Sequence, residues 1–180
     1  LMELVSQALR DEIGAVSPKL QEGSRIFQAG LILGLNGPAG APYRGTFGTD
    51  AGVAGRAGLV QNRTVASEHC LAVRREVFFE IGGFSEADFP SSYYVLDFCL
   101  RLGATNRRVL WTPHAVVQIQ DARAFEVGVS GTYAAGLLAM QRRWGMRFLV
   151  DPAFNPNLAL DQAWPSPALI PRLPKPYRLT

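Results

Sequence analysis

The run Tyr94-Val95-Leu96-Asp97-Phe98-Cys99-Leu100-Arg101-Leu102-Gly103, followed after a short polar break by Arg108-Val109-Leu110-Trp111, sets the class of the fold. Val95, Leu96, Cys99, Leu100 and Leu102 recur at helical spacing, which predicts a helix ending near Gly103. The apolar run after it predicts a strand over 108–111, interrupted at Thr112-Pro113 and resuming over 115–119. Upstream the same alternation returns. Residues 69–73 read as a strand, and residues 74–81 as a short helix that Gly82-Gly83 stops. Short strands alternating with helices predict an α/β fold with one mixed sheet and flanking helices.

Working outward, Leu1, Leu4, Val5, Ala8 and Leu9 lie at helical spacing with no capping side chain before them, as in a natural protein cut upstream of this point. Residues 13–16 read as a short buried strand, and Leu20-Gln21 with Arg25 to Phe27 as a hairpin turning at Glu22-Gly23-Ser24. Residues 30–58 hold nine of the eighteen glycines and read as a loop, either a connector or a lid over substrate. Its Gly34-Leu35-Asn36-Gly37-Pro38-Ala39-Gly40 fits neither the dinucleotide fingerprint nor the Lys-bearing phosphate loop. Residues 84–90 read as a loop and residues 125–144 as a long helix with Arg142 and Arg143 at its C-terminal end. Seven of the twelve prolines fall between Pro152 and Pro176, so the last segment is either a tail or an extended strap; Phe154, Leu158, Leu160 and Trp164 favour a strap for its first half.

Composition narrows the function classes. The chain has 180 residues, 48% of them apolar and 18% charged, enough for one domain with a core. Its net charge of +3 is spread in ones and twos, so a nucleic-acid role would rest only on a pI near 9.1. Cys70 and Cys99 sit in apolar runs as small hydrophobes, and a reducing compartment is expected. No close Cys or His pair supplies a structural zinc site. No apolar run reaches the roughly 20 residues of a membrane span, so the chain is expected to be soluble.

A series of blocks in order carries a resemblance: Gly14-Ala15-Val16 through Pro18-Lys19-Leu20, Gln28-Ala29-Gly30, Gln61-Asn62, Cys70-Leu71-Ala72-Val73-Arg74-Arg75, Gly82-Gly83-Phe84, Asp97-Phe98-Cys99-Leu100-Arg101-Leu102 and Trp111-Thr112-Pro113. With Asp151-Pro152-Ala153-Phe154-Asn155-Pro156-Asn157-Leu158 as a closing motif, the chain resembles the C-terminal half of family-two glycosyltransferases, nearest the rhamnosyltransferase-like enzymes of O-antigen and surface polysaccharide assembly. The resemblance implies a partial GT-A fold whose residues 1–145 form the acceptor-side half and whose residues 146–180 form a Pro-rich C-terminal extension. It implies inverting transfer of a sugar from a nucleotide-sugar donor to a glycan or lipid-linked acceptor hydroxyl. The implied location is cytoplasmic or peripheral to the inner membrane. The nucleotide-binding half, with its Asp-x-Asp-like motif for a divalent cation (magnesium or manganese), would precede Leu1, and the chain alone is expected to be inactive and to hold no cofactor.

An acceptor hydroxyl needs a base to take its proton. The resemblance places Val95 where relatives carry that carboxylate, which leaves Asp97, the second carboxylate of the block, and Asp88 as candidates. Glu68, His69, Gly83, Phe84 and Trp111 are the expected acceptor contacts, Trp111 either stacking on a sugar ring or filling the core. Glu68 and His69, adjacent in a strand, would point to opposite faces and so form no dyad. Gln120 or Asp121 stands where relatives complete the metal site, and His114 is expected to be a packed ring. Gln141-Arg142-Arg143-Trp144 falls one residue short of a glycan-holding motif of processive relatives and reads instead as a helix end with Trp144 over the core. One cleft lined by Gly83, Asp88 and Asp97 is the expected site. The alternative from another class is a catalytically silent glycan-binding or interaction domain derived from such an enzyme, motivated by Val95 and Ile119.

Overall fold

The computed structural model describes residues 1–121, 131–170 and 172, apart from the side chains of residues 131 and 132. The central strand is β1 (Ile13–Glu22), whose first eight residues are all buried. A strand with both faces covered reads as a continuous apolar and small-residue run, and this one does apart from the buried Lys19. It pairs antiparallel with β2 (Arg25–Gln28) through the turn at Gly23-Ser24, and parallel with the long β6 (Arg108–Ile119). The short β3 (Ile32–Leu33) and β4 (Ala39–Gly40) form a separate antiparallel pair, and β5 (Gln61–Arg63) joins β6 antiparallel. The mixed four-stranded sheet therefore runs β2-β1-β6-β5.

Helix α1 (Met2–Ala8) covers one face, setting Leu4 and Ala8 on Ile13, Val16, Leu110 and Ala115. The expected stripe is buried only at those two helical positions; Leu1, Val5 and Leu9 are exposed. The other face carries α2 (Arg75–Glu80), α3 (Tyr94–Ala104) and α4 (Gly131–Trp144), whose apolar residues join Ala15 and Val109 in the main core. Alternation along β6 sends Val109 to this core and Leu110 to α1, as the two-residue period of a strand requires. Cys99 is buried, and burial pushes its thiol up to about 12; Cys70 is half-buried.

Four expectations change. Residues 69–73 form no strand: they contribute a single bridge, in which Val16 and Ala72 exchange hydrogen bonds of 2.9 and 2.8 Å. Strand β6 is not interrupted at Thr112-Pro113. The register jumps from Pro18 opposite Thr112 to Lys19 opposite Val116, so 113–115 bulge out of the ladder and the missing proline N–H is not needed there. Residues 30–58 are more than loop, since they contain β3, β4 and a 3₁₀ stretch at Val53–Gly58, and bury Ile32, Leu33, Leu35 and Tyr43. His114 is exposed rather than packed.

The strap expected after Trp144 is present over its first half. Phe148 sits in the main core, and Phe154 packs with Ile32 and Leu35. Asp151 ties the strap down: Oδ2 accepts from the Leu33 N–H at 2.9 Å, and Oδ1 accepts from Thr64 Oγ1 at 2.6 Å and the Ala153 N–H at 2.8 Å. Further along, the N–H groups of Asn36 and Tyr43 donate to the carbonyls of Leu160 and Ala163, and the Trp164 ring meets Tyr43 edge-on. Gly34 takes φ +80, and a Cβ there would lie 2.4 Å from the Leu149 carbonyl oxygen, so only glycine lets the strap cross at that point. Residues 122–130, 171 and 173–180, including the expected start of the long helix, lie outside the described residues.

Candidate functional site

Asp97, expected to line a cleft, is 0% exposed and lies inside α3. Its Oδ2 accepts from Arg101 Nε at 2.9 Å and Ser85 Oγ at 3.1 Å; its Oδ1 accepts from Trp144 Nε1 at 3.0 Å and faces Arg143 Nε at 3.3 Å. Arg101 spends its remaining nitrogens on the carbonyls of Ile81 and Gly83, where α2 ends. Asp97 thus joins the Gly82-Gly83 turn, the 84–90 loop, α3 and the end of α4. Asp88 is an exposed partner of Arg143 at 3.1 Å. Gly83, Asp88 and Asp97 are close together through Arg101 and Arg143, and none of them is among the lining residues of the two cavities described below.

Trp111 is 0% exposed and donates from Nε1 to the Pro18 carbonyl, so it offers no face to a sugar and takes the core role. Phe84 is likewise a packing residue, edge-on to Phe78, Tyr94 and Phe98. Gln120 and Asp121 are exposed beyond β6, and no three His, Cys, Asp or Glu side chains come together among the described residues.

A cavity of about 480 Å³ instead gathers the end of β2, the turn after β5, the start of α3 and α4. Its polar walls include Gln28, Glu68, His69, Ser92, Tyr93 and Tyr94. The turn explains why Glu68 and His69 both reach it. Ser67 is buried and its Oγ accepts from the His69 N–H at 3.2 Å, closing a hydroxyl-capped turn in place of the expected strand. The two side chains then face one space, with His69 Nε2 3.9 Å from Glu68 Oε1, contrary to the expectation of opposite faces. The Ala66 N–H donates to Cys99 Sγ at 3.3 Å and anchors this turn on α3.

At the start of α3, Tyr93 takes φ +64, a left-handed conformation that a bulky residue adopts only when its surroundings enforce it. Enforcement comes from α4: a Cβ on Gly136 would lie 2.5 Å from Ser92 Oγ and 2.8 Å from the Tyr93 ring, so the helix approaches as closely as glycine permits. The rings of Tyr93 and Tyr133 lie 4.9 Å apart beside the cavity. Val95 also lines it and is buried.

Burial holds the His69 imidazole below its ordinary value, Glu68 opposes that shift and Arg44 adds to it. Burial pushes the Tyr93 and Tyr94 hydroxyls up, with Tyr133 acting next on Tyr93 and Glu68 contributing to both. Gln28 is buried, and its Oε1 accepts no hydrogen bond among the described residues. A buried acceptor without a donor is uncommon, and a hydroxyl group has the chemistry to donate to it. Aromatic faces, an acceptor lacking its donor and a carboxylate suit a hydroxyl-rich ligand. Gln28, Ser92, Tyr93, Tyr94 and Tyr133 were not legible as site residues; the clustered tyrosines were the available signal.

A larger cavity of about 840 Å³ lies between β5, α3 and the strap. Its described walls hold no acid and no histidine, and its Arg107 and Arg108 are tied to Glu80 and Glu12. Of these two cavities, only the smaller has a carboxylate and an imidazole among its described walls. Among the described residues no helix is long and apolar enough to cross a membrane.

No family model matches the chain, and no solved structure matches it. It is 33% identical over 169 residues to the uncharacterized protein y4gI of Sinorhizobium fredii, covering 90% of this chain and 18% of that protein. It is 34% identical over 165 residues to the O-antigen biosynthesis protein RfbC of Myxococcus xanthus, covering 89% of this chain and 13% of that protein. The chain thus spans less than a fifth of the length of either relative, and nearly all of it resembles a segment of an O-antigen biosynthesis protein.

Proposed function

We propose that this chain is the acceptor side of a GT-A type glycosyltransferase, with the 480 Å³ cavity receiving the sugar whose hydroxyl is glycosylated. The buried Gln28 oxygen without a donor is the observation that carries this reading, because it asks for a hydrogen-bond donor from a ligand. The tyrosines beside it offer ring faces to pyranose C–H groups. Similarity to a protein of O-antigen biosynthesis supports a glycan acceptor in surface polysaccharide assembly. The donor nucleotide sugar and the divalent cation that offsets its diphosphate belong, on this reading, to residues outside this chain.

The test is saturation-transfer NMR on the 180-residue chain with methyl α-L-rhamnopyranoside and methyl β-D-glucopyranoside. At least one pyranoside should receive saturation from the tyrosine rings, and Gln28→Leu should weaken its binding by about five- to tenfold, the worth of one hydrogen bond. Absence of transfer to either sugar, or Gln28→Leu binding as well as the original, would count against the cavity as acceptor subsite.

The aliphatic Val95 in the cavity wall favours a second reading, a glycan-binding module without transfer chemistry. Both readings bind the pyranoside. Only the first gives sugar transfer in the whole protein.

A further inference from the structure

We infer that Glu68 takes the proton from the acceptor hydroxyl, an assignment that rests on the acceptor-side reading of this cavity. Three observations point to it. Glu68 is the one carboxylate among the cavity's described lining residues. Asp97, the other contender, is itself 0% exposed, has both oxygens occupied by hydrogen-bond donors, and is not among this cavity's lining residues. The Glu68 side chain is 39% exposed, and its contact at 3.9 Å with His69 is longer than a hydrogen bond, so its oxygens keep acceptor capacity for a ligand. Its position is fixed by the Ser67 turn, which is itself held to α3 through Cys99.

In the step, the hydroxyl proton passes to a Glu68 oxygen while the hydroxyl oxygen bonds to the anomeric carbon of a nucleotide-diphosphate sugar. The anomeric carbon–oxygen bond to the diphosphate breaks, and its electron pair leaves with the phosphate. Tyr93 and Tyr94 hold their protons at neutral pH, so they position the sugar and do not compete for its proton.

The experiment is a transfer assay on the whole protein. Donors are dTDP-rhamnose, UDP-glucose, UDP-galactose and GDP-mannose, and the acceptor is the lipid-linked glycan extracted from membranes of a strain deleted for the gene. Glu68→Gln should lower kcat by about 10²–10⁴-fold, with acceptor KM within about threefold of the original. Formate should restore part of the rate to Glu68→Ala. In the 180-residue chain, Glu68→Gln should keep its melting temperature and its pyranoside binding. If Glu68→Gln keeps more than about one tenth of the rate, or loses rate only by losing pyranoside binding, the assignment is overturned and the acceptor-side reading stands. If the unaltered protein transfers no sugar from any donor while the chain still binds pyranoside, the acceptor-side reading fails and the assignment with it.

Discussion

Two carboxylates on adjoining parts of the same domain have opposite surroundings. Asp97 has two arginines, a tryptophan N–H and a serine hydroxyl around it and no exposure; Glu68 has one imidazole at 3.9 Å and a cavity in front of it. A carboxylate with all its lone pairs used holds pieces of a fold in place, because displacing any donor leaves a buried charge under-satisfied. One with acceptor sites open to a cavity adds little to stability and is available for a ligand. Motif position singles out Asp97, whereas surroundings single out Glu68. The difference lies in which residues the chain brings around each carboxylate.

The sharpest way to break this contrast is to truncate both. Asp97→Ala strands Arg101 and Arg143 and unlinks the Gly82-Gly83 turn, the 84–90 loop and α4, so it should cost about 3–5 kcal/mol in urea unfolding. Glu68→Ala, at a partly exposed site, should change stability by no more than about 0.5 kcal/mol. Comparable losses at the two positions would erase the distinction.

A finer cut is Trp144→Phe, which removes one donor to Asp97 Oδ1 while keeping an aromatic ring against the core. It should cost about 0.5–1.5 kcal/mol, since Arg143 stays beside the same oxygen. In Asp97→Ala the same Trp144→Phe change should cost less, because the hydrogen bond is already gone. Equal costs in the two backgrounds would mean that the indole contributes only packing.

Helical spacing in 94–103, the Gly82-Gly83 stop and the Glu22-Gly23-Ser24 turn were enough to place α3, α2 and the first hairpin. These are local signals, decided within a few residues. What failed depended on partners distant in the chain. Strand β5 is three polar residues, Gln61–Arg63, whose only reason to extend is the ladder with β6. The segment at 69–73 is apolar enough for a strand, yet Ser67 turns it and only Ala72 finds a partner. Pro113 breaks a ladder in principle, and a bulge opposite Lys19 removes the conflict. The candidate site shows the same division. Glu68 and His69 were recognisable as chemistry-bearing residues, but their sharing of one cavity follows from the turn, and Gln28 becomes informative only once its oxygen is seen without a donor.

The smallest expected effect tests whether Glu68 and His69 share one electrostatic environment. Burial lowers the native His69 value below 6.5, Glu68 partly restores it and Arg44, which lies over the Phe27 ring that packs on His69, lowers it further. Between the lowered native value and about 6.5 the unfolded chain binds more protons than the folded one, so stability falls as pH drops through that window and levels off below it. His69→Gln should remove this slope while leaving stability above about pH 7 little changed. Glu68→Gln should steepen the loss and extend it to lower pH, because it deletes a neighbour that favours the imidazolium. Urea unfolding of the three proteins at successive pH values reads the sign directly. If Glu68→Gln flattens the slope instead, the carboxylate is not acting on the imidazole, and the two residues are neighbours in the chain without being neighbours in charge.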